Sequence, residues 1–218
     1  MSESERQAAR LRLIRLLQGA YSGELAASHA YIGHARSVRD EAERSRIRAI
    51  ENEELVHRAC VGKMLASLDA APSAARERIM LRVGQTIGLL CRVGGWFIPM
   101  YGAGRLEAHN VKEYEDAADD AVRCGRDDLV EELLVMAEVE WEHEHYFREK
   151  VLSHALGRIV PVWKAIPPKE AIRRSHAARH GAPMSLARRE GGLVAELGGQ
   201  PPHLTDDIVR DTVERSRR

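Results

Sequence analysis

Glu24 is followed by Glu54-Leu55-Val56-His57, and Glu107 is followed by Glu140-Trp141-Glu142-His143. On an α-helix, residues three apart lie about 4.5 Å apart along the axis and share a face, so one Glu-x-x-His helix aims a carboxylate and an imidazole at one point. Two such helices and two single-Glu helices form the ligand set of a dinuclear iron or manganese site in a four-helix bundle. Carboxylates are hard ligands that suit Fe(III), and imidazole binds Fe(II), so such a set can hold both redox states and activate dioxygen. Four carboxylates at one point repel strongly without cations. Two iron ions are therefore expected, with a manganese or mixed-metal site as the alternative.

One Glu-x-x-His is cheap: 23 Glu and 10 His in 218 residues give about one chance match. Three occur, at Glu54/His57, Glu140/His143 and Glu142/His145. The order carries the information. Glu24 to Glu54 spans 30 residues and Glu107 to Glu140 spans 33, each enough for one helix, a turn and part of a return helix. Tyr31 and Tyr114 each follow a lone Glu by seven residues, two helical turns, and so share its face. The pattern reads as an internal duplication, each hairpin supplying half a site. By that pseudo-symmetry Glu24 and His57 serve one metal, Glu107 and His143 the other, and Glu54 and Glu140 bridge. Tyr31 and Tyr114 are expected to hydrogen-bond ligand carboxylates or gate access to the metals.

The elements that must position these residues follow from apolar periodicity. Leu11, Ile14, Leu17, Tyr21, Glu24, Ser28 and Tyr31 predict a helix over 5–37, and a second is expected over 41–68. The Gly-rich apolar stretch 79–101 reads as helix or broken helix leading into a third bundle helix over 103–123. Cys124-Gly125 stops it, and a fourth helix is expected over 128–156. Its buried stripe, Leu133, Met136, Ala137, Glu140, His143, Phe147 and Val151, selects Glu140/His143 over Glu142/His145 and puts Glu142 and Glu144 outside. Trp96 to Tyr101 is the densest aromatic and apolar cluster, suited to core, to a channel for a lipophilic substrate, or to a membrane surface. Glu51 and Glu113 could orient a ligand imidazole.

After Gly157 the texture changes to Pro- and Gly-punctuated polar segments, with short helices expected near 169–178 and 206–215. The division is thus 1–157, an all-α four-helix bundle, and 158–218, a basic, irregular to helical C-terminal extension. The first part holds 21 Lys/Arg against 26 Asp/Glu, the second 12 against 7, so the extension can dock on the acidic body. Three widely spaced cysteines exclude a disulfide framework and a four-Cys iron site. The polar, acidic N-terminus does not read as a signal peptide. No nucleotide-binding glycine fingerprint is visible, so electrons must come from an external donor such as NADH or a reductase.

Gly23-Glu24-Leu25-Ala26-Ala27 with Tyr31-Ile32-Gly33-His34, then Glu54 to His57, Leu106-Glu107 with Tyr114, and Glu140-Trp141-Glu142-His143 resemble, in order, the motifs of the demethoxyubiquinone hydroxylase family. The resemblance spans about residues 15 to 150. It implies a ferritin-like four-helix bundle built from two pseudo-repeated hairpins, with Glu24, Glu54, His57, Glu107, Glu140 and His143 as iron ligands. It further implies a monooxygenase that hydroxylates a ring carbon of a quinone-like, hydrophobic substrate at a membrane surface. Leu25, His34 and Lys112-Glu113 stand where the family has Tyr, Gln and His-His. A cytoplasmic location, peripheral at the inner face of the membrane, and a homo-oligomer are expected; nucleic acid is not. Alternative readings are a rubrerythrin- or ferritin-like peroxidase, oxidase or iron-binding protein, and a tRNA-base hydroxylase.

Overall fold

The computed structural model describes residues 1–180, which are all-helical. The helices are α1 (Glu3–Ser37), α2 (Glu41–Ser67), α3 (Ala74–Val93), α4 (Phe97–Cys124), α5 (Val130–Ser153) and α6 (Glu170–His180). Short 3-10 turns at Asp127–Leu129 and Ala155–Arg158 flank α5. Local chemistry sets the helix ends. Ser2 and Glu5 form a capping box at α1, and Asp40 and Ser73 accept the backbone N–H of Glu43 and Arg76 at the starts of α2 and α3. Gly125, at φ 77°, closes α4 in the left-handed conformation that a side chain disfavours.

α1 packs against α2, α3 and α4, and α4 packs against α5. The stretch 79–101 is the broken helix its glycines predict, leading into the next bundle helix. It holds the last 15 of the 20 residues of α3, a break at Gly94-Gly95, and the first turn of α4, which starts six residues before the expected Ala103. Pro99 fits because it is the third residue of α4, where a backbone N–H has no intrahelical partner to lose. Gly84 and Gly88, which look like helix breakers, are contact points instead. A Cβ on Gly84 would lie 2.4 Å from the Ala26 carbonyl oxygen, and one on Gly33 would lie 1.9 Å from that of Gly88. Only backbone-to-backbone packing lets α3 lie this close on α1.

The apolar core falls into two clusters. One gathers Leu13, Leu17, Val61, Leu65, Tyr114, Leu133 and Met136, and the other Tyr31, Ile47, Ile50, Met100, Phe147 and Val151. Beyond α5 the chain stays on the bundle. Trp163 covers Gly104, Ile172 is buried, and basic side chains meet acidic ones: Arg173 pairs with Glu131 and Glu138, and Lys169 with Glu142. The helix expected near 169–178 is α6; the one near 206–215 lies outside the described residues. No described helix is long and apolar enough to cross a membrane.

Candidate metal centre

Each predicted ligand sits on the interior face of a different long helix or shares one with its Glu-x-x-His partner: Glu24 on α1, Glu54 and His57 on α2, Glu107 on α4, Glu140 and His143 on α5. All six are buried, none more than 3% exposed. The structure brings them together in two overlapping groups, Glu24/Glu54/His57/Glu140 and Glu54/Glu107/Glu140/His143, with ligand atoms within 4.8 Å of one another in each group. Glu54 and Glu140 belong to both groups. Glu142 and His145 stay outside, Glu142 against Lys169 and His145 stacked on Trp141. Glu144 is a correction: it is buried, not exterior, because Trp163 folds over it and donates its indole N–H at 2.7 Å.

The electrostatics are those of crowded anions. Burial, then the charges of neighbouring carboxylates, pushes Glu54 and Glu107 well above the usual carboxylate range; burial also raises Glu24. Glu140 goes the other way despite burial, because two imidazoles lie against it: His143 Nδ1 is 3.5 Å from its Oε2, and His57 Nδ1 hydrogen-bonds its Oε1 at 2.8 Å. Burial alone would lower His143, but contacts to Glu140 and Glu53 raise it to about 10. Even so, both Glu54 oxygens, Glu140 Oε2 and His143 Nδ1 have no hydrogen-bond partner among the described residues. Leaving one buried polar atom unpaired costs about 1–3 kcal/mol, and four such atoms at one point are what a cation would satisfy. The donor set of four carboxylates and two imidazoles therefore fits two metal ions.

Both tyrosines reach across the bundle. Tyr31 on α1 donates its hydroxyl to Glu107 Oε1 on α4, and Tyr114 on α4 donates to Glu24 Oε1 on α1. Burial pushes both phenols well above their ordinary range, so they remain protonated donors. Two contacts went unread in the sequence, although Asn110, three residues after Glu107, shares its helical face. Asn110 Nδ2 donates to Glu107 Oε2 at 2.8 Å, and Glu53, not Glu51 or Glu113, meets His143 Nε2 at 2.6 Å. Glu51 and Glu54 lie on one face of α2, whereas Glu53 is turned about 100° from Glu54, toward α5. Glu113 pairs with His109 at 3.6 Å instead.

A cavity of about 510 Å³ lies between α1, α3 and α4. Its walls are mostly apolar, among them Ala26, Ala30, Val83, Ile87, Leu90 and Ile98, and Glu24, Tyr31 and Tyr114 also line it. The Trp96–Tyr101 cluster divides. Ile98 and Pro99 line the cavity, whereas Trp96, Phe97 and Tyr101 pack on the core cluster of Phe147 and Val151, which includes Met100. Compared with family models, curated proteins and solved structures, the chain shows no match.

Proposed function

We propose that this chain is an oxygen-activating di-iron hydroxylase of a small hydrophobic substrate, with a demethoxyubiquinone-like quinone as the favoured case. One observation carries the reading: the apolar cavity is lined at one place by Glu24, a member of the metal-binding group, and by the tyrosines that hydrogen-bond Glu24 and Glu107. A peroxidase or an iron store has no need of an organic pocket beside its metals, and a tRNA-base hydroxylase would need a basic approach. The approach here is apolar. Val83, Ile87, Leu90, Ile98 and Leu106 line the cavity and are themselves exposed, and Leu89 and Val93 of α3 are exposed as well. Such a mouth suits a substrate that partitions into lipid and a chain that rests on a membrane surface.

The ferritin-like, pseudo-repeated reading is supported by the reciprocal tyrosines, each hairpin's Tyr serving the other's lone Glu. In the bridging scheme, Glu54 and Glu140 are the carboxylates common to both groups. Bound iron would supply dioxygen activation, with electrons from an external donor such as NADH. The protein's own part is positional. Glu53 holds the His143 ring, Asn110 and Tyr31 hold Glu107, and Tyr114 holds Glu24, while the alanine and branched aliphatic walls exclude water from beside the metals. Tyr31 and Tyr114 keep their protons at the carboxylates and can lend a hydrogen bond as charge there changes.

The deciding experiment is mass spectrometry of lipids from a strain lacking the gene. Accumulation of a quinone precursor one oxygen short is expected, restored by the wild-type chain but not by Glu54→Ala. An unchanged quinone profile would reject the quinone substrate.

A further inference from the structure

Away from the carboxylate layer, α6 carries His176 and His180, four residues apart and so on one helical face, with ring centroids 4.6 Å apart. Asp119 of α4 faces both. Its Oδ1 lies 3.1 Å from His176 Nδ1 and 2.9 Å from His180 Nε2, and its Oδ2 accepts from Arg179 Nε at 2.8 Å. Twelve residues of helix, about 18 Å, separate Asp119 from Glu107, so this cluster is independent of the interior centre.

We propose that Asp119, His176 and His180 form a second, mononuclear site for a divalent transition cation of the zinc class, which fastens α6 to α4. Two imidazoles and one carboxylate are a borderline donor set that suits zinc, with a water able to complete four-coordination. The three ligand atoms lie within 4.8 Å of one another. Tetrahedral zinc with bonds of about 2.0–2.1 Å places its donors about 3.3 Å apart, so the two spacings from Asp119 to the imidazoles need to open by only a few tenths of an ångström.

Two further features favour a cation over a plain hydrogen-bonded cluster. His176 is 1% exposed, and its Nε2 has no partner among the described residues, so the residue is not held there by a saturated hydrogen-bond network. Arg179 takes only Oδ2, the arrangement in which the outer oxygen of a ligand carboxylate is steadied while the inner one binds. Asp119 and His180 are partly exposed, which gives water and ion a way in.

The test is equilibrium dialysis of the full-length chain against zinc, with metal counted per chain, for the wild type, His176→Ala, His180→Ala and the interior double variant Glu54→Ala/Glu140→Ala. Wild type should hold one zinc more than either His variant, and the interior variant should retain that zinc. His180→Ala, in the last turn of α6, keeps the comparison valid if His176→Ala loosens the helix. Equal zinc in the wild type and His180→Ala would overturn the proposal and leave a cluster of hydrogen bonds and ion pairs.

Discussion

Glu53 Oε2 lies 2.6 Å from His143 Nε2, so the imidazole is gripped on its far side while its Nδ1 faces Glu54 and Glu140 at 3.3 and 3.5 Å. That grip fixes which nitrogen points into the carboxylate layer and raises the basicity of the ring. The contact also holds Glu53 down to about 2, against the burial that would raise it. Glu53→Gln should therefore weaken one of the two bound metals by about 10–100-fold and leave the other nearly unchanged. Iron retained per chain across a chelator series would read this out as a split into two release steps. A single unsplit step at the wild-type position would show that Glu53 does not position a ligand.

Glu54 and Glu140 are fully buried and have unpaired oxygens, so their effects with and without metal should be opposite in sign. Glu54→Ala/Glu140→Ala should lower iron from about two per chain to near none, because both groups lose their shared members. The metal-free variant should nonetheless melt no lower than the metal-free wild type, since it no longer crowds those anions. Chelation should lower the wild-type melting temperature by about 5–10 °C and leave the variant's unchanged, the difference expected for metal held at about a hundred times its dissociation constant. Full iron occupancy in the double variant would sink the six-ligand assignment.

The long helices were legible because their apolar spacing is regular over many turns, and the six interior residues because one ligand pattern occurs twice in the same order. What the spacing missed is of another kind. Gly84 and Gly88 read locally as breakers, yet their lack of a side chain serves contact with α1, fifty or more residues earlier. Glu53 and Asn110 gain their roles from partners reached by the angle between helices or by rotation along one face. Glu144 shares the helical phase of Ala137 and Val151, seven residues to either side, so its charge misled where its position did not, and Trp163 gives the buried carboxylate a partner. His176 and His180 show a chelating spacing, but Asp119 lies 57 residues before the first of them.

Ile98 is 66% exposed and lines the apolar cavity, whereas its neighbour Phe97 packs against Tyr101 and His154. The two positions should therefore respond differently to the same substitution. Ile98→Asp should keep iron content and melting temperature near wild type while turnover of a lipophilic substrate falls about ten-fold or more, since a charge at the mouth disfavours apolar entry. Phe97→Asp should cost about 3 kcal/mol of stability, because it places a carboxylate in packed aromatic surroundings. Urea unfolding and substrate turnover measured on both variants would separate these roles. Equal loss of stability in the two would mean that Ile98 is structural as well.

His34 stacks with Tyr31 and Phe147, is 2% exposed, and has an Nε2 with no partner among the described residues. Burial pushes its pKa down to about 4, below the value of about 6.5 expected for the unfolded chain. The folded state thus favours the neutral ring. Between those two values the unfolded chain binds the extra proton, so this contribution to stability is complete above about pH 6.5 and falls as the pH drops toward 4. From about pH 7.5 to about pH 5 the loss is about 2 kcal/mol. His34→Leu, which cannot titrate, should remove that share of the acid sensitivity without altering the carboxylate share. Urea unfolding of the metal-free wild type and His34→Leu at the two pH values gives the comparison, with a smaller pH-dependent loss expected in the variant. Identical losses in both would show that His34 titrates in the folded chain as it does when unfolded, and that the apolar wall around it admits water.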